Sequence, residues 1–172
     1  MTIADKGVSD ILRILVPEEV PRFVPSPQGQ IGRVCSCYDG DTVTLLCLMG
    51  GVPAQIALRI LGVDAPERRG RGETERNAAT AVRDVVEALV LNKILPVRIT
   101  GVDKYGRALG DLELGDGTSL SEFLLRRGLA RAYAGGCRRP FSPEELAEIV
   151  ASAKSSLCYV QQCGLFEKPE EA

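Results

Sequence analysis

The chain has 172 residues, a formal net charge of −2, an apolar share of 45% and a charged share of 26%. That is one domain's worth of ordinary globular sequence, and the charge balance argues against a protein that holds nucleic acid mainly by bulk positive charge. No apolar run approaches the roughly 20 residues that span a bilayer. The opening Met1-Thr2-Ile3-Ala4-Asp5-Lys6 is not a basic region followed by an unbroken apolar core, so an intracellular protein with no secretory signal is expected.

Residues 1–28 read as an arm. Val8, Ile11, Leu12 and Leu15 recur at helical spacing, and Pro17, Pro21, Pro25 and Pro27 then exclude regular structure. Such an arm lies on the body, stays loose or docks a protein partner. From Gln30 to Tyr38 an extended run leads into Asp39-Gly40-Asp41-Thr42, where two carboxylates flank a glycine. Thr42 to Leu48 alternates Val43, Leu45 and Cys47 with Thr44, Leu46 and Leu48. Both faces are largely apolar, as in a barrel wall covered by helices. Gly50-Gly51-Val52-Pro53 turns the chain. Ala54 to Leu61 then returns with Ile56, Leu58 and Ile60 on one face and Gln55, Ala57 and Arg59 on the other. In an antiparallel meander the start of one strand lies beside the finish of the next. Asp39 and Asp41 are therefore predicted to meet the second acidic cluster, Asp64 and Glu67.

After a charged loop, Ala78, Ala81, Val82, Val85 and Leu89 mark an amphipathic helix of roughly four to five turns. Ile94 to Val102 reads as a strand, in which Pro96 implies an edge or a bulge. Asp103-Lys104-Tyr105-Gly106 turns it back into a partner running from Arg107 to Leu114. Ser119-Leu120-Ser121-Glu122 has capping-box spacing and opens a short helix that stops at Gly128. A small apolar segment with Arg131 and Tyr133 follows, then a basic loop containing Arg138 and Arg139. Ser142-Pro143-Glu144-Glu145 is a second capping box with proline at the first helical position. Leu146, Ile149, Val150, Ala153, Leu157 and Val160 supply that helix's stripe, Gly164 ends it, and residues 167–172 form an acidic tail.

The chain has six cysteines and no histidine. Zinc sites want paired Cys-x2-Cys spacings or histidines, so buried reduced thiols are favoured over disulfides or a metal centre. Without histidine, acid–base work falls to carboxylates, Lys, Tyr or Cys. Carboxylates converging without nitrogen or sulfur partners suit a hard cation such as calcium. Arg59 and Arg107 beside them suit a phosphate. Each feature alone has a plainer reading: Asp39-Gly40-Asp41 as a turn, Arg59 as a surface pair, Glu67-Arg68-Arg69 as a solvated loop. Together they point to a metal-dependent phosphodiesterase.

Tyr38-Asp39-Gly40-Asp41-Thr42-Val43, then Arg59 through Glu67, then Asp103-Lys104-Tyr105-Gly106-Arg107 resemble the staphylococcal nuclease (thermonuclease) family. The likeness runs on through Leu124–Ala130 to Gly164-Leu165-Phe166, roughly residues 30–166. It implies an α+β, mainly β fold, a five-stranded OB-fold barrel with about three helices. The domain would cover residues 29–166, between the arm of 1–28 and the tail. It also implies a calcium-dependent nuclease hydrolysing DNA or RNA, with a monomer expected. An exposed single strand fits a barrel groove more easily than a stacked duplex. By the resemblance, calcium is held by the Asp41 and Asp64 carboxylates and the Ala65 carbonyl, with Asp39 beside them. Many relatives have threonine at the Ala65 position, and a main-chain ligand survives the change to alanine. Glu67 matches the glutamate that positions or deprotonates water, and Arg59 and Arg107 match the pair that grips the scissile phosphate. Lys104 and Tyr105 match contacts to a terminal phosphate of bound nucleotide. Tyr133, with a one-residue shift, matches an aromatic that stacks on a base. The competing reading is a non-catalytic nucleic-acid- or protein-binding module, but copies of that kind usually lose the acidic and arginine positions that are intact here.

Overall fold

The computed structural model of the chain describes residues 30–49, 52–70 and 72–162. The expectations placed on the arm, the Gly50-Gly51 turn, Gly164 and the tail lie outside those residues. The expected meander is present as β1 (Gln30–Asp39), β2 (Thr42–Met49) and β3 (Val52–Ile60), paired antiparallel in sequence order. After the two-residue strand β4 (Val63–Asp64), β5 (Ile94–Val102) and β6 (Ala108–Leu112) form the expected hairpin. A second two-residue strand, β7 (Arg131–Ala132), pairs with β4 outside the barrel.

The five long strands close in the order β1-β2-β3-β6-β5. Closure uses an antiparallel β1–β5 pair and one parallel pair, β3–β6, in register from Leu58 opposite Ala108 to Ile60 opposite Gly110. With three helices among the described residues, this is the barrel that the resemblance implied. Alternation along each strand sends Val34, Val43, Leu45, Leu58, Ile60, Ile99 and Leu112 into the core, all essentially fully buried. Each such side chain contributes about 1.5–3 kcal/mol by leaving water.

Two details depart from the sequence reading. The outer face of β2 is not covered: Leu46 and Leu48 are 36% and 63% exposed. The reason is where the helices land. Helix α1 (Glu73–Val90) packs on β1 and on α3 (Pro143–Gln162), while α2 (Leu120–Arg126) packs on β6 and β4. Pro96 likewise marks neither an edge nor a bulge. A closed barrel has no edge, and the β5–β6 register shift falls between Ile99 and Gly101.

The helices start as their caps dictate. Ser119 Oγ accepts from Glu122 N at 3.2 Å at the head of α2. At the head of α3 the exchange is reciprocal: Ser142 Oγ accepts from Glu145 N at 3.2 Å and Ser142 N donates to Glu145 Oε2 at 2.8 Å. Gly128 closes α2 at φ 64°, in the left-handed region that disfavours side chains. Helix α1 buries Ala78, Ala79, Val82, Val85, Val86, Leu89 and Val90. That face clamps the β1–β2 turn from above.

Candidate active site

The β1–β2 turn carries Asp39 and Asp41, and Gly40 lets it sit where it does. A Cβ at position 40 would lie 2.5 Å from Val82 Cγ1 and 3.0 Å from Ala65 Cβ. Only glycine allows the turn to tuck against α1 and beside the 63–67 segment. Asp41 is buried there. Its Oδ2 accepts from Ala65 N at 3.0 Å and pairs with Arg59 Nη1 at 2.6 Å, and its Oδ1 accepts from Thr42 Oγ1 at 3.1 Å. The two acidic clusters thus meet, as the meander required. Asp41 N also donates to Asp39 Oδ1 at 3.3 Å. Burial, and after it the charge of Asp41, push the Asp39 carboxyl well above the usual carboxylate range.

Pairing of β4 with β7 sets Asp64 opposite Arg131. Asp64 is 1% exposed, and its Oδ2 accepts from Arg131 Nε at 2.9 Å and Nη2 at 2.6 Å. Arg131 also stacks on Phe141, 3.9 Å from the ring centre. The other oxygen of Asp64 belongs to Arg138, which donates to it through Nε and also pairs with it through Nη2. Nη1 of Arg138 pairs with Glu67 Oε1, while Nη2 donates to Ala65 O at 3.3 Å and lies 3.8 Å from Asp41 Oδ2.

The oxygens expected to hold a cation therefore do face one region, and a guanidinium stands among them. The donor set is right in kind for calcium, carboxylates and a main-chain carbonyl with no nitrogen or sulfur. It is not drawn in around a single point. Among the described residues no three His, Cys, Asp or Glu side chains gather closely enough to enclose an ion. Arg138 is the stand-in that shows these oxygens accept positive charge.

The two arginines predicted to grip phosphate are held differently. Arg59 is buried, with Nη1 donating to Asp41 O at 3.3 Å and Ile60 O at 3.1 Å, and Nη2 to Val63 O at 3.0 Å. It braces the end of β3 against β4 and the acidic turn. Arg107 is anchored by one edge only, Nε to Asp103 Oδ2 at 2.8 Å. Among the described residues its terminal nitrogens have no hydrogen-bond partner. Asp103 Oδ1 accepts from Tyr105 N and Arg107 N, both at 2.9 Å. Burial acts the other way, but these bonds hold the Asp103 carboxyl below its usual range. Lys104 Nζ lies 5.0 Å from the ring centre of Tyr105, which is 72% exposed. Tyr133 is fixed by N donating to Gly62 O at 2.9 Å and by its hydroxyl donating to Gly136 O at 2.6 Å.

Asp39, Asp41, Arg59 and Glu67 line one cleft of about 630 Å³ together with Lys104, Tyr105, Arg107 and Tyr133. Asp64 and Ala65 line an adjoining cleft of about 380 Å³ with Arg131, Arg139 and Phe141. Glu67 and Arg138 line both. Sequence reasoning placed Arg131 and Arg138 in a small segment and a basic loop and assigned neither a role. Nothing in spacing or periodicity marks a loop arginine as a partner of carboxylates some seventy residues earlier.

The model of a family described as "Staphylococcal nuclease homologue" matches residues 57–157, more than half of the chain. That span includes Arg59, Asp64, Glu67 and Arg107, while Asp39 and Asp41 precede it. An "Uncharacterized endonuclease" of Escherichia coli is 32% identical over 105 residues, 59% of this chain and 60% of the relative. Its counterpart in Escherichia coli O157:H7 matches to the same extent. "Probable endonuclease LCL3" of Komagataella phaffii (strain GS115) is 26% identical over 148 residues, 73% of this chain and 65% of the relative. The chain thus spans less than two thirds of the length of each of these relatives.

Proposed function

The chain belongs to the staphylococcal nuclease homologue family, and from that membership we propose that it is a nuclease that hydrolyses phosphodiester bonds of DNA or RNA with calcium bound by Asp41, Asp64 and the Ala65 carbonyl. The observation that carries the reading is the cleft in which Asp39, Asp41 and Glu67 face Arg107, Lys104 and Tyr105. Three relatives whose printed names contain "endonuclease" support it.

A phosphodiester resists attack by water because it is already anionic, and the barrier falls when fixed positive groups meet the charge that builds up. A bound calcium ion would supply neutralisation at a non-bridging oxygen. Arg107 presents its terminal nitrogens to the cleft and takes the two-point grip on the phosphate. Arg59 lines the same cleft and contributes a fixed positive charge while bracing Asp41. Glu67 lies at the junction of the two clefts, where its carboxylate orients water or takes its proton as the new P–O bond forms. Tyr105, exposed beside Lys104, contacts a terminal phosphate, and Tyr133 offers a stacking face to a base. An unstacked strand enters such a groove more easily than a duplex, so denatured substrate is preferred. The catalytic unit is residues 29–166, which leaves residues 1–28 available to a protein partner. No helix among the described residues is long and apolar enough to cross a membrane.

The test is degradation of denatured DNA and of RNA with calcium and with chelator. Degradation that chelator abolishes, falling about 10²–10⁴-fold in Glu67→Gln and about 10²–10³-fold in Arg107→Ala, is expected. A folded protein that binds the strand but never cuts it would instead be a nuclease-like binding module. Cutting that persists in chelator would remove calcium from the proposal.

A further inference from the structure

We infer that Arg138 sets the affinity of the acidic cluster for its cation, because its guanidinium and a divalent ion compete for the same oxygens. The inference rests on the calcium reading above. One side chain reaches Asp64, Glu67 and the Ala65 carbonyl, and comes within 3.8 Å of Asp41. Those groups include every one assigned to calcium. A guanidinium has donors and no acceptor, so it consumes the lone pairs that an ion would use. Calcium needs its oxygens at about 2.3–2.6 Å, which leaves no room for a planar cation between them. Like charges at that separation also repel.

Arg138 is also the cation best placed to leave. The other basic groups have anchors besides the cluster's carboxylates: Arg131, which also holds Asp64, in the β4–β7 pair and on the Phe141 ring; Arg59, which also pairs with Asp41, on three carbonyls; and Arg139 on Glu145. Arg138 is 35% exposed and forms part of the wall between two clefts. It follows Gly135 and Gly136, at φ 99° and 98°, conformations that an L side chain rarely adopts. Without an ion, its charge offsets repulsion among Asp41, Asp64 and Glu67 and keeps them assembled. Ion binding must displace it, so apparent affinity falls by the fraction of molecules in which it is already displaced.

Calcium titration calorimetry on the full chain tests this with wild type, Arg138→Gln and Arg139→Gln. Arg138→Gln should bind calcium roughly tenfold or more tightly, as expected when a competing state populated at about 90% or above is removed. Its calcium-free melting temperature should fall, and calcium should raise it further than in wild type. Arg139→Gln removes the same charge one residue along, from a pair outside the cluster, and should change affinity by less than about threefold through screened charge alone. Arg138→Ala replaces the glutamine variant if circular dichroism shows that variant unfolded. Equal affinity in wild type and Arg138→Gln, or an equal gain in Arg139→Gln, overturns the competition and leaves the calcium reading intact. Absence of binding by all three proteins overturns both.

Discussion

Replacing Gly40 by alanine tests whether the acidic turn is held by helix α1. The added methyl would sit 2.5 Å from Val82 Cγ1 and 3.0 Å from Ala65 Cβ, against an optimal carbon–carbon separation of about 3.5–4.0 Å. It therefore overlaps Val82 by about 1 Å and Ala65 by about half that. Neither neighbour has space to retreat, because Val82 is 0% and Ala65 1% exposed. Overpacking of this kind costs about 1–3 kcal/mol. Relief requires lifting the turn from α1, which draws Asp41 away from Ala65 N and Arg59, so activity should fall with stability. Val82→Ala alone deletes two buried methyl groups and leaves a small cavity, costing about 2 kcal/mol. In the double variant the new methyl occupies the space that Val82 vacated. The combined cost should be smaller than the sum by about 1 kcal/mol or more. Urea unfolding of the three variants and the parent measures all four corners. A Gly40→Ala cost below about 0.5 kcal/mol, or costs that simply add, would show that the turn is not pinned by Val82.

Arg59→Lys should lose about 10²–10³-fold in kcat/KM and about 3 kcal/mol of stability, since an ammonium cannot serve Asp41 and three carbonyls at once; a variant with wild-type urea midpoint would contradict the brace. Glu145 is held down to about 2 from 4.5, first by Arg139 and then by Ser142 N. A folded-state value below the unfolded one means that its contribution is complete above about 4.5 and is lost as pH falls toward about 2. Glu145→Gln should flatten the stability profile in that window, and an unchanged acid limb followed by circular dichroism would refute the linkage. Burial pushes the Cys37 thiol up to about 12, so native-state alkylation should label exposed Cys137 and Cys158 and spare Cys37 until the chain is unfolded; mass spectrometry showing early label at Cys37 would disprove its burial.

Features encoded within a few residues were legible from the chain alone. The meander followed from period-two alternation, α1 and α3 from their apolar stripes, and both helix starts from serine–glutamate spacing that the hydrogen bonds reproduce. The meeting of the two acidic clusters followed from antiparallel geometry, and the individual site positions came from the family resemblance. Closure through β3 and β6 was not legible, because a parallel pair between distant residues leaves no local pattern. The bare outer face of β2 depended on where the helices came to rest. Strands β4 and β7 are too short to show a period, yet they set Asp64 under Arg131. Arg138 is one of 21 lysines and arginines, and only the folded loop brings it to the carboxylates.

The parallel β3–β6 seam also joins a segment made early in the chain to one made late. It puts Arg59 and Arg107 at neighbouring ends of adjacent strands, since Leu58 faces Ala108. During translation the acidic half leaves the ribosome first, still lacking one arginine, the hairpin and the loop guanidinium. The cleft has no second wall until that late segment has emerged and docked, so a half-made polypeptide lacks the side that Lys104, Tyr105 and Arg107 supply.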